Sequence, residues 1–398
     1  MKNSKGGKLI GQGSYGCVFS PPLLCDKDTK RKNGVGKIFS ESDVAQEEIQ
    51  ELENIKVIDP NGNFTIQMDA FCEVPKRNIK TEDDFSKCSK KKKGILTEYD
   101  QIIFKEEGLD LLNFSNKSEY KFSDILDGFI NIAKGLLSLE KHNTCHRDIK
   151  PANIVIVNSS SELKLIDFGL NCTYTRIYDN MSYNILSHDF KYYPLEFDVY
   201  CELLMEEQDT PFNTLFKKYL KLSKPFQQIG ININNLETQF LAFKKKLSES
   251  DNKDIYQFFT EASKNKIDVF SLGISMLELY TSENSNINDL NDRQKALINT
   301  VISNAINFNP FDRCTPQKLY DQLKKIKSAK EIKNYRIKDS KSAPSTKTKI
   351  SNSKIPSKME CVNQYTIKEL QKEARKLKRV NHTSAPLKKH TKYINSVS

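Results

Sequence analysis

One stretch constrains this chain more than any other: Cys145-His146-Arg147-Asp148-Ile149-Lys150-Pro151-Ala152-Asn153, with Asp167-Phe168-Gly169 following it. It puts a carboxylate, a cation and an amide within six residues, and a second carboxylate a short distance on. Between the two lie the apolar runs 154–157 and 163–166, separated by Asn158-Ser159-Ser160-Ser161, which predict two strands and a turn. Such a hairpin would hold both polar loops on rigid supports. Phosphoryl transfer draws on this set of groups. A carboxylate accepts the proton of the attacking hydroxyl, a cation meets the phosphate, and Asn and Asp oxygens suit Mg²⁺.

Near the amino terminus stands Ile10-Gly11-Gln12-Gly13-Ser14-Tyr15-Gly16-Cys17-Val18. Dinucleotide-binding folds use the same glycine spacing, but there it opens a helix. Here Val18-Phe19 and Pro21-Pro22 follow, so strand–turn–strand is expected, with a flexible turn whose backbone N–H groups can approach phosphates. The second strand gives way to a polar loop over 25–33, and Val35-Gly36-Lys37-Ile38-Phe39 forms the next, with Lys37 its one cation. Residues 42–58 have helical period, with Val44, Ala45, Ile49, Leu52, Ile55 and Ile58 on one side. Glu48 lies within that apolar face, where an unpaired carboxylate is costly, and is the expected partner of Lys37. Glu51, one turn later at the edge of the face, is the alternative.

Asp59-Pro60 ends the helix, and residues 64–71 alternate as a strand. The charged run 74–94 reads as an exposed loop, after which 95–99 and 101–104 regain β character. A clean amphipathic helix, carrying Ile125, Leu126, Phe129, Ile130, Ala133, Leu136, Leu137 and Leu139, leads into the central motif.

Together these motifs resemble the eukaryotic-type protein kinases, with their glycine-rich loop, V-A-I-K strand, H-R-D-x-K-x-x-N catalytic loop and D-F-G metal loop. The resemblance covers residues 9–326, with Gly36 standing where the family carries Ala. It implies an α+β, two-lobed fold: a β-rich small lobe over 1–107 and a helical large lobe over 108–327. It implies ATP and Mg²⁺ as cofactors and a protein substrate. Residues 10–18 and Lys37 would bind ATP, Lys37 held by Glu48. Asp148 would take the substrate proton, Lys150 would offset phosphoryl charge, and Asn153 and Asp167 would hold the metal. Phe104 takes the gatekeeper position, and Lys105-Glu106-Glu107 the hinge. Lys150 two residues after Asp148 resembles serine/threonine kinases, although Asp189 stands where those carry Thr.

Tyr192-Tyr193-Pro194-Leu195-Glu196 resembles the family's A-P-E, with Arg313 as the late partner of Glu196 and Asp268 as the aspartate that holds the catalytic loop. Glu196 and Asp268 are 72 residues apart, so a block at about 197–266 is inserted, with helical patterns over 212–222 and 236–247. That block and the Asn/Lys/Ile-heavy composition resemble kinases of nucleocytoplasmic large DNA viruses, which implies host cytoplasm or virion. Arg147 needs an anion beside it: a phosphate on a hydroxyl of 170–190, such as Thr173, Thr175, Ser182 or Ser187, or a carboxylate of Asp179 or Asp189.

The formal charge is +11, yet residues 328–398 alone carry 18 Lys/Arg against 5 Asp/Glu, leaving the rest at −2. Polyanion attraction is therefore a property of the tail. The tail reads as disordered over 338–358, then as an amphipathic basic helix near 365–380, with Ile367, Leu370, Ala374 and Leu377 on one face. Any nucleic-acid contact there would be weak and backbone-directed. Nine scattered cysteines without a C-x-x-C pair argue against disulfides and for a reducing, cytoplasmic setting. Cys72 and Cys88 lack the partners a zinc site needs. No apolar run has the length of a membrane span, and the first residues are not a signal peptide. Two other readings compete with an active enzyme: a pseudokinase scaffold, which should have lost a catalytic residue, and an adaptor working through the basic tail. Oligomeric state is not legible.

Overall fold

A computed structural model of the protein describes residues 7–12, 16–26, 33–39, 41–79, 84–88, 98–117, 119–157, 162–178, 190–205, 210–250 and 254–329. From residue 330 on, the basic tail, with its expected helix near 365–380, lies outside the described residues. The amino-terminal part is an antiparallel sheet in the order β1-β2-β3-β5-β4: β1 (Lys8–Gln12), β2 (Gly16–Ser20), β3 (Val35–Phe39), β4 (Met68–Pro75) and β5 (Glu98–Phe104). Helix α1 (Ser42–Ile58) spans the expected residues, and α2 (Lys76–Ile79) is a single turn after β4. The apolar face of α1 buries Ala45 and sets Val44, Ile49 and Leu52 against Phe39 and Ile102 of the sheet.

Two expectations for this region are corrected. The strand placed at 64–71 begins only at Met68, because the Asp59 carboxylate gathers the backbone before it. Its oxygens accept from the N–H groups of Asn63, Phe64 and Thr65 at 2.8–3.0 Å, which curls the chain into a turn. Phe64 is buried in the large-lobe core instead. Disulfides also exist: Cys17 bonds Cys88, and Cys25 bonds Cys72, with Cα separations of 6.0 and 5.9 Å. These links join residues 71 and 47 positions apart, so no local spacing announces them. The described part of the 74–94 run is consequently not a free loop, since Ile79 and Cys88 are buried under the sheet. Lys90 to Lys93 lie outside the described residues.

β6 (Gly108–Asp110), α3 (Leu111–Lys117), β7 (Tyr120–Lys121) and α4 (Phe122–Lys141) open the second, helical part. α4 buries Ile125, Leu126, Phe129, Ala133, Leu136 and Leu139, as its period requires. Then come β8 (Thr144–Cys145), β9 (Ile154–Val157), β10 (Leu163–Leu165) and β11 (Cys172–Thr173). β9 and β10 are the expected hairpin, and β6 joins its outer edge. Helices α5 (Leu195–Met205), α6 (Phe212–Leu215), α7 (Ser223–Gln228), α8 (Ile233–Ser248), α9 (Ile255–Ser263) and α10 (Ile267–Thr281) follow, then β12 (Ser285–Asn286), α11 (Asp292–Ala305) and α12 (Pro316–Ser328). The pattern over 212–222 is α6 continued by a 3₁₀ stretch, Phe216–Leu222.

The inserted block is no appendage. Phe212, Phe216, Tyr219, Phe226, Phe240 and Phe243 are buried in the same core as the central helix α10. Lys218, in the 3₁₀ stretch, meets Asp198 of α5 at 2.5 Å with both side chains 2% exposed. The Tyr219 hydroxyl donates to the Tyr193 carbonyl. The insert thus braces the segment just before α5.

Candidate active site

β1 and β2 pair across the glycine-rich turn, Gly11 opposite Val18 and Gln12 opposite Cys17. Ile10, Gly11 and Gln12 end β1, while Gly16, Cys17 and Val18 begin β2; Gly13, Ser14 and Tyr15 lie outside the described residues. A side chain at Gly16 would stand 2.3 Å from the Ile38 carbonyl oxygen, so only glycine allows β2 this close to β3. The Cys17 sulfur points into the core and is spent on Cys88.

Gly36 has a local cause. A Cβ there would lie 2.2 Å from Gln101 Oε1. That buried amide brackets Leu23, accepting from its N–H at 2.8 Å and donating to its carbonyl at 3.0 Å. The Ala of the kinase pattern would displace this clamp.

Lys37 sits opposite Val18 and Ile102, and its Nζ donates to both oxygens of Glu48, at 2.7 and 2.6 Å. Burial pushes the Glu48 carboxyl up, with Lys37 opposing. Glu51 does not share Lys37. Its carboxyl is pushed up to about 7 by burial and by the neighbouring Glu48 and Asp167. The sequence placed it at the edge of a helix face; in the fold it looks toward the metal loop, 3.8 Å from where a Cβ on Gly169 would be.

The catalytic-loop backbone is hung from one carboxylate. Buried Asp268, at the start of α10, accepts from His146 N at 2.7 Å and Arg147 N at 2.9 Å. The His146 ring accepts from Asp148 N at 3.2 Å through Nδ1, which puts its proton on Nε2, facing the Ile166 carbonyl at 3.1 Å. It also packs on Phe168, ring centroids 4.4 Å apart. One imidazole therefore ties the catalytic loop to the metal loop. Asp148 accepts from Lys150 Nζ at 3.1 and 2.8 Å and from Asn153 Nδ2 at 2.8 Å. Burial raises its carboxyl above the ordinary value while Lys150 opposes, which makes it a better proton acceptor than a solvated aspartate. Arg147 and Asp167 both take left-handed backbone conformations, φ 66° and 64°, the kind of strain that clusters at functional sites.

The donor set fits a hard divalent cation. Among the described residues both hydrogen bonds of the Asn153 side chain use its amide nitrogen, leaving the oxygen for a ligand. Asp167 is close enough to raise the carboxyls of Glu48, Glu51 and Asp148. Four carboxylates thus face the two cations Lys37 and Lys150, a charge excess that Mg²⁺ would offset. Among the described residues no cluster of three His, Cys, Asp or Glu is built to hold a metal by protein ligands alone. Two oxygens, completed by phosphate and water, is the pattern that Mg²⁺ takes.

Phe104 closes β5, and Glu106 accepts from Lys164 Nζ of β10 at 2.5 Å, joining the segment after β5 to the hairpin. On the other side of the catalytic loop, the two carboxylates named for Arg147, Asp179 and Asp189, lie outside the described residues. Arg147 Nη1 points at the Cys172 sulfur, 3.5 Å away. Cys172 was not singled out from sequence as part of the site, and Glu51 was named only as the alternative partner of Lys37. The one signal for Cys172 was its place five residues after Asp167, with Cys145 just before His146.

Residues 5–192 match the protein kinase domain family. The chain is 28% identical over 171 residues to the dual specificity protein kinase zakA of Dictyostelium discoideum, covering 40% of this chain and 18% of that protein. It is 25% identical over 166 residues to mitogen-activated protein kinase homolog 1 of Petunia hybrida, covering 41% and 38%. With mitogen-activated protein kinase 3 of Oryza sativa subsp. japonica the identity is 28% over 165 residues, covering 41% and 39%. The chain spans less than two fifths of the length of these curated relatives. The fold is accordingly that of a protein kinase domain, mixed α+β, with a β-sheet amino-terminal region and a helical carboxy-terminal region.

Proposed function

We propose that this protein kinase domain is an active enzyme that transfers the γ-phosphoryl of ATP to Ser and Thr hydroxyls of protein substrates. The observation that carries the reading is the closed Lys37–Glu48 pair, Nζ to Oε2 2.6 Å, in a chain that keeps Asp148, Lys150, Asn153 and Asp167. A scaffold with no turnover has no need of that set, so the pseudokinase reading is the weaker one. Lys37 would clamp the α- and β-phosphates, its position set by Glu48. Asp148 would orient the substrate hydroxyl and take its proton, and Lys150 would balance charge on the moving phosphoryl. Asn153 and Asp167 would hold Mg²⁺, which when bound neutralises phosphate charge. The protein's share is mostly positioning and electrostatics.

Serine/threonine preference is supported by Lys150 two residues after Asp148. The likeness to kinases of large DNA viruses rests on the insert and the Asn/Lys/Ile-heavy composition, and weak nucleic-acid contact through the tail rests on its charge. The test is a radiolabel assay with ATP, Mg²⁺ and generic basic proteins, followed by phosphoamino-acid analysis. Label on serine and threonine is expected. Label on tyrosine alone would overturn the preference, and no label at all would overturn the enzyme reading.

A further inference from the structure

β8 and β11 form a two-residue antiparallel ladder in which Cys145 and Cys172 stand directly opposite each other. β8 leads into the catalytic loop and β11 leaves the metal loop, so this pair bridges the two halves of the site. Both thiols are free, and their sulfurs are 3.5 Å apart. The Arg147 guanidinium lies against Cys172, and its buried Nε has no partner among the described residues. The surroundings are asymmetric: Cys145 is 2% exposed, whereas Cys172 is only half-buried.

We infer that Cys145 and Cys172 are a reversible thiol–disulfide switch, with Cys172 the attacking sulfur, Cys145 the resolving one and a hydroperoxide the oxidant. Thiolate character and access decide which cysteine reacts first, and both favour Cys172. The hydrogen bond from Cys145, with Arg147 assisting, holds its thiol at about 7 against burial and Asp268, while burial pushes Cys145 up. The other described cysteines outside disulfides, Cys201 and Cys314, are buried, and the four cysteines of the small lobe are already paired.

The chemistry balances in two steps. The Cys172 thiolate attacks one peroxide oxygen, the O–O bond breaks, and the departing hydroxide takes a proton as water, leaving a sulfenic acid. Cys145 sulfur then attacks Cys172 sulfur, the S–O bond breaks, and the hydroxyl leaves as water with the Cys145 proton. Two thiols and one hydroperoxide become one disulfide, with the peroxide reduced. Closing the bond removes the negative sulfur from Arg147 and staples the two loops together. Turnover should fall as a result. That consequence rests on the kinase reading; the bond itself does not.

The experiment treats full-length protein with graded hydrogen peroxide, blocks remaining thiols with iodoacetamide, and maps unreduced peptides by mass spectrometry. A Cys145–Cys172 linked pair should rise with peroxide and vanish on thiol reduction. In Cys145→Ala no such pair should form, and Cys172 should take a sulfenic-acid probe. Oxidised protein in which both cysteines remain free for alkylation would overturn the switch. Peptide phosphorylation by wild type should drop at least about tenfold on oxidation and recover on reduction, whereas Cys145→Ala should hold its own starting rate. A linked pair with unchanged turnover would overturn the regulatory claim. The same loss in Cys145→Ala would assign the sensitivity to other cysteines and overturn it too. If no oxidation state phosphorylates anything, the kinase reading fails, and the linked peptide alone decides the switch.

Discussion

Arg313 and Glu196 face each other through two parallel bonds, 2.6 and 3.0 Å, with both side chains fully removed from solvent. The guanidinium also lies over the Phe270 ring, 4.8 Å from its centroid. Removing one partner leaves a buried charge with no counterion, which costs about 3–5 kcal/mol. Glu196→Ala should lower unfolding free energy by about that amount in urea melts, and Glu196→Leu with Arg313→Met should restore most of it. A loss in the double variant equal to the single one would show that the pair matters beyond its own charge balance.

Lys37 and Glu48 are joined, and Glu51 looks elsewhere. Glu48→Gln should therefore cost activity heavily, by one to two orders of magnitude in kcat/KM, on the order of 1.4–2.7 kcal/mol of transition-state stabilisation. Glu51→Gln should cost far less at neutral pH. Steady-state kinetics with the two variants showing the opposite ranking would move the functional partner by one helical turn.

The Asp148 carboxylate is hydrogen-bonded to the side chains of Lys150 and Asn153. Asp148→Asn should abolish phosphoryl transfer while nucleotide-induced thermal stabilisation stays near wild type. Asp167→Asn should do the reverse to binding, weakening the stabilisation by Mg–ATP. Undiminished stabilisation in the Asp167 variant would remove that residue from the metal site.

The Glu51 carboxyl sits at about 7 in the fold against an ordinary 4.5. The folded protein therefore holds a proton that the unfolded chain has lost, so this group costs stability as pH rises from about 4.5 to about 7. Glu51→Gln removes that cost. In metal-free buffer the variant should melt above wild type, by a margin that widens from pH 5 to pH 7.5. A margin that stays constant or narrows would show that the carboxyl is not held protonated by its neighbours.

Much of the fold was legible because it follows from local period. Helix α1 was readable to its ends from the spacing of its apolar residues, and the β9–β10 hairpin from two apolar runs around a polar turn. What failed had non-local causes. The strand expected from residue 64 was undone by Asp59, which captures three N–H groups that a strand would have spent on its neighbour. The inserted block showed helical period but nothing to say that its phenylalanines belong to the core of α10 rather than to a separate unit.

By itself, the sequence determined which chemistry is on hand: carboxylates, amide and lysines at spacings that suit phosphoryl transfer, and helices whose apolar stripes must be covered. Those are properties of neighbours along the chain, and periodicity reports them. Glu48 was the expected partner of Lys37 and Glu51 the alternative, and only the tertiary structure decided between them. It gave Lys37 to Glu48 and turned Glu51 toward Asp167. It joined Cys17 to Cys88 across 71 residues and set Cys145 opposite Cys172 beside Arg147. Pairings of this kind depend on sheet register and on how helices dock, and a cysteine or carboxylate carries no mark of either in its flanking residues.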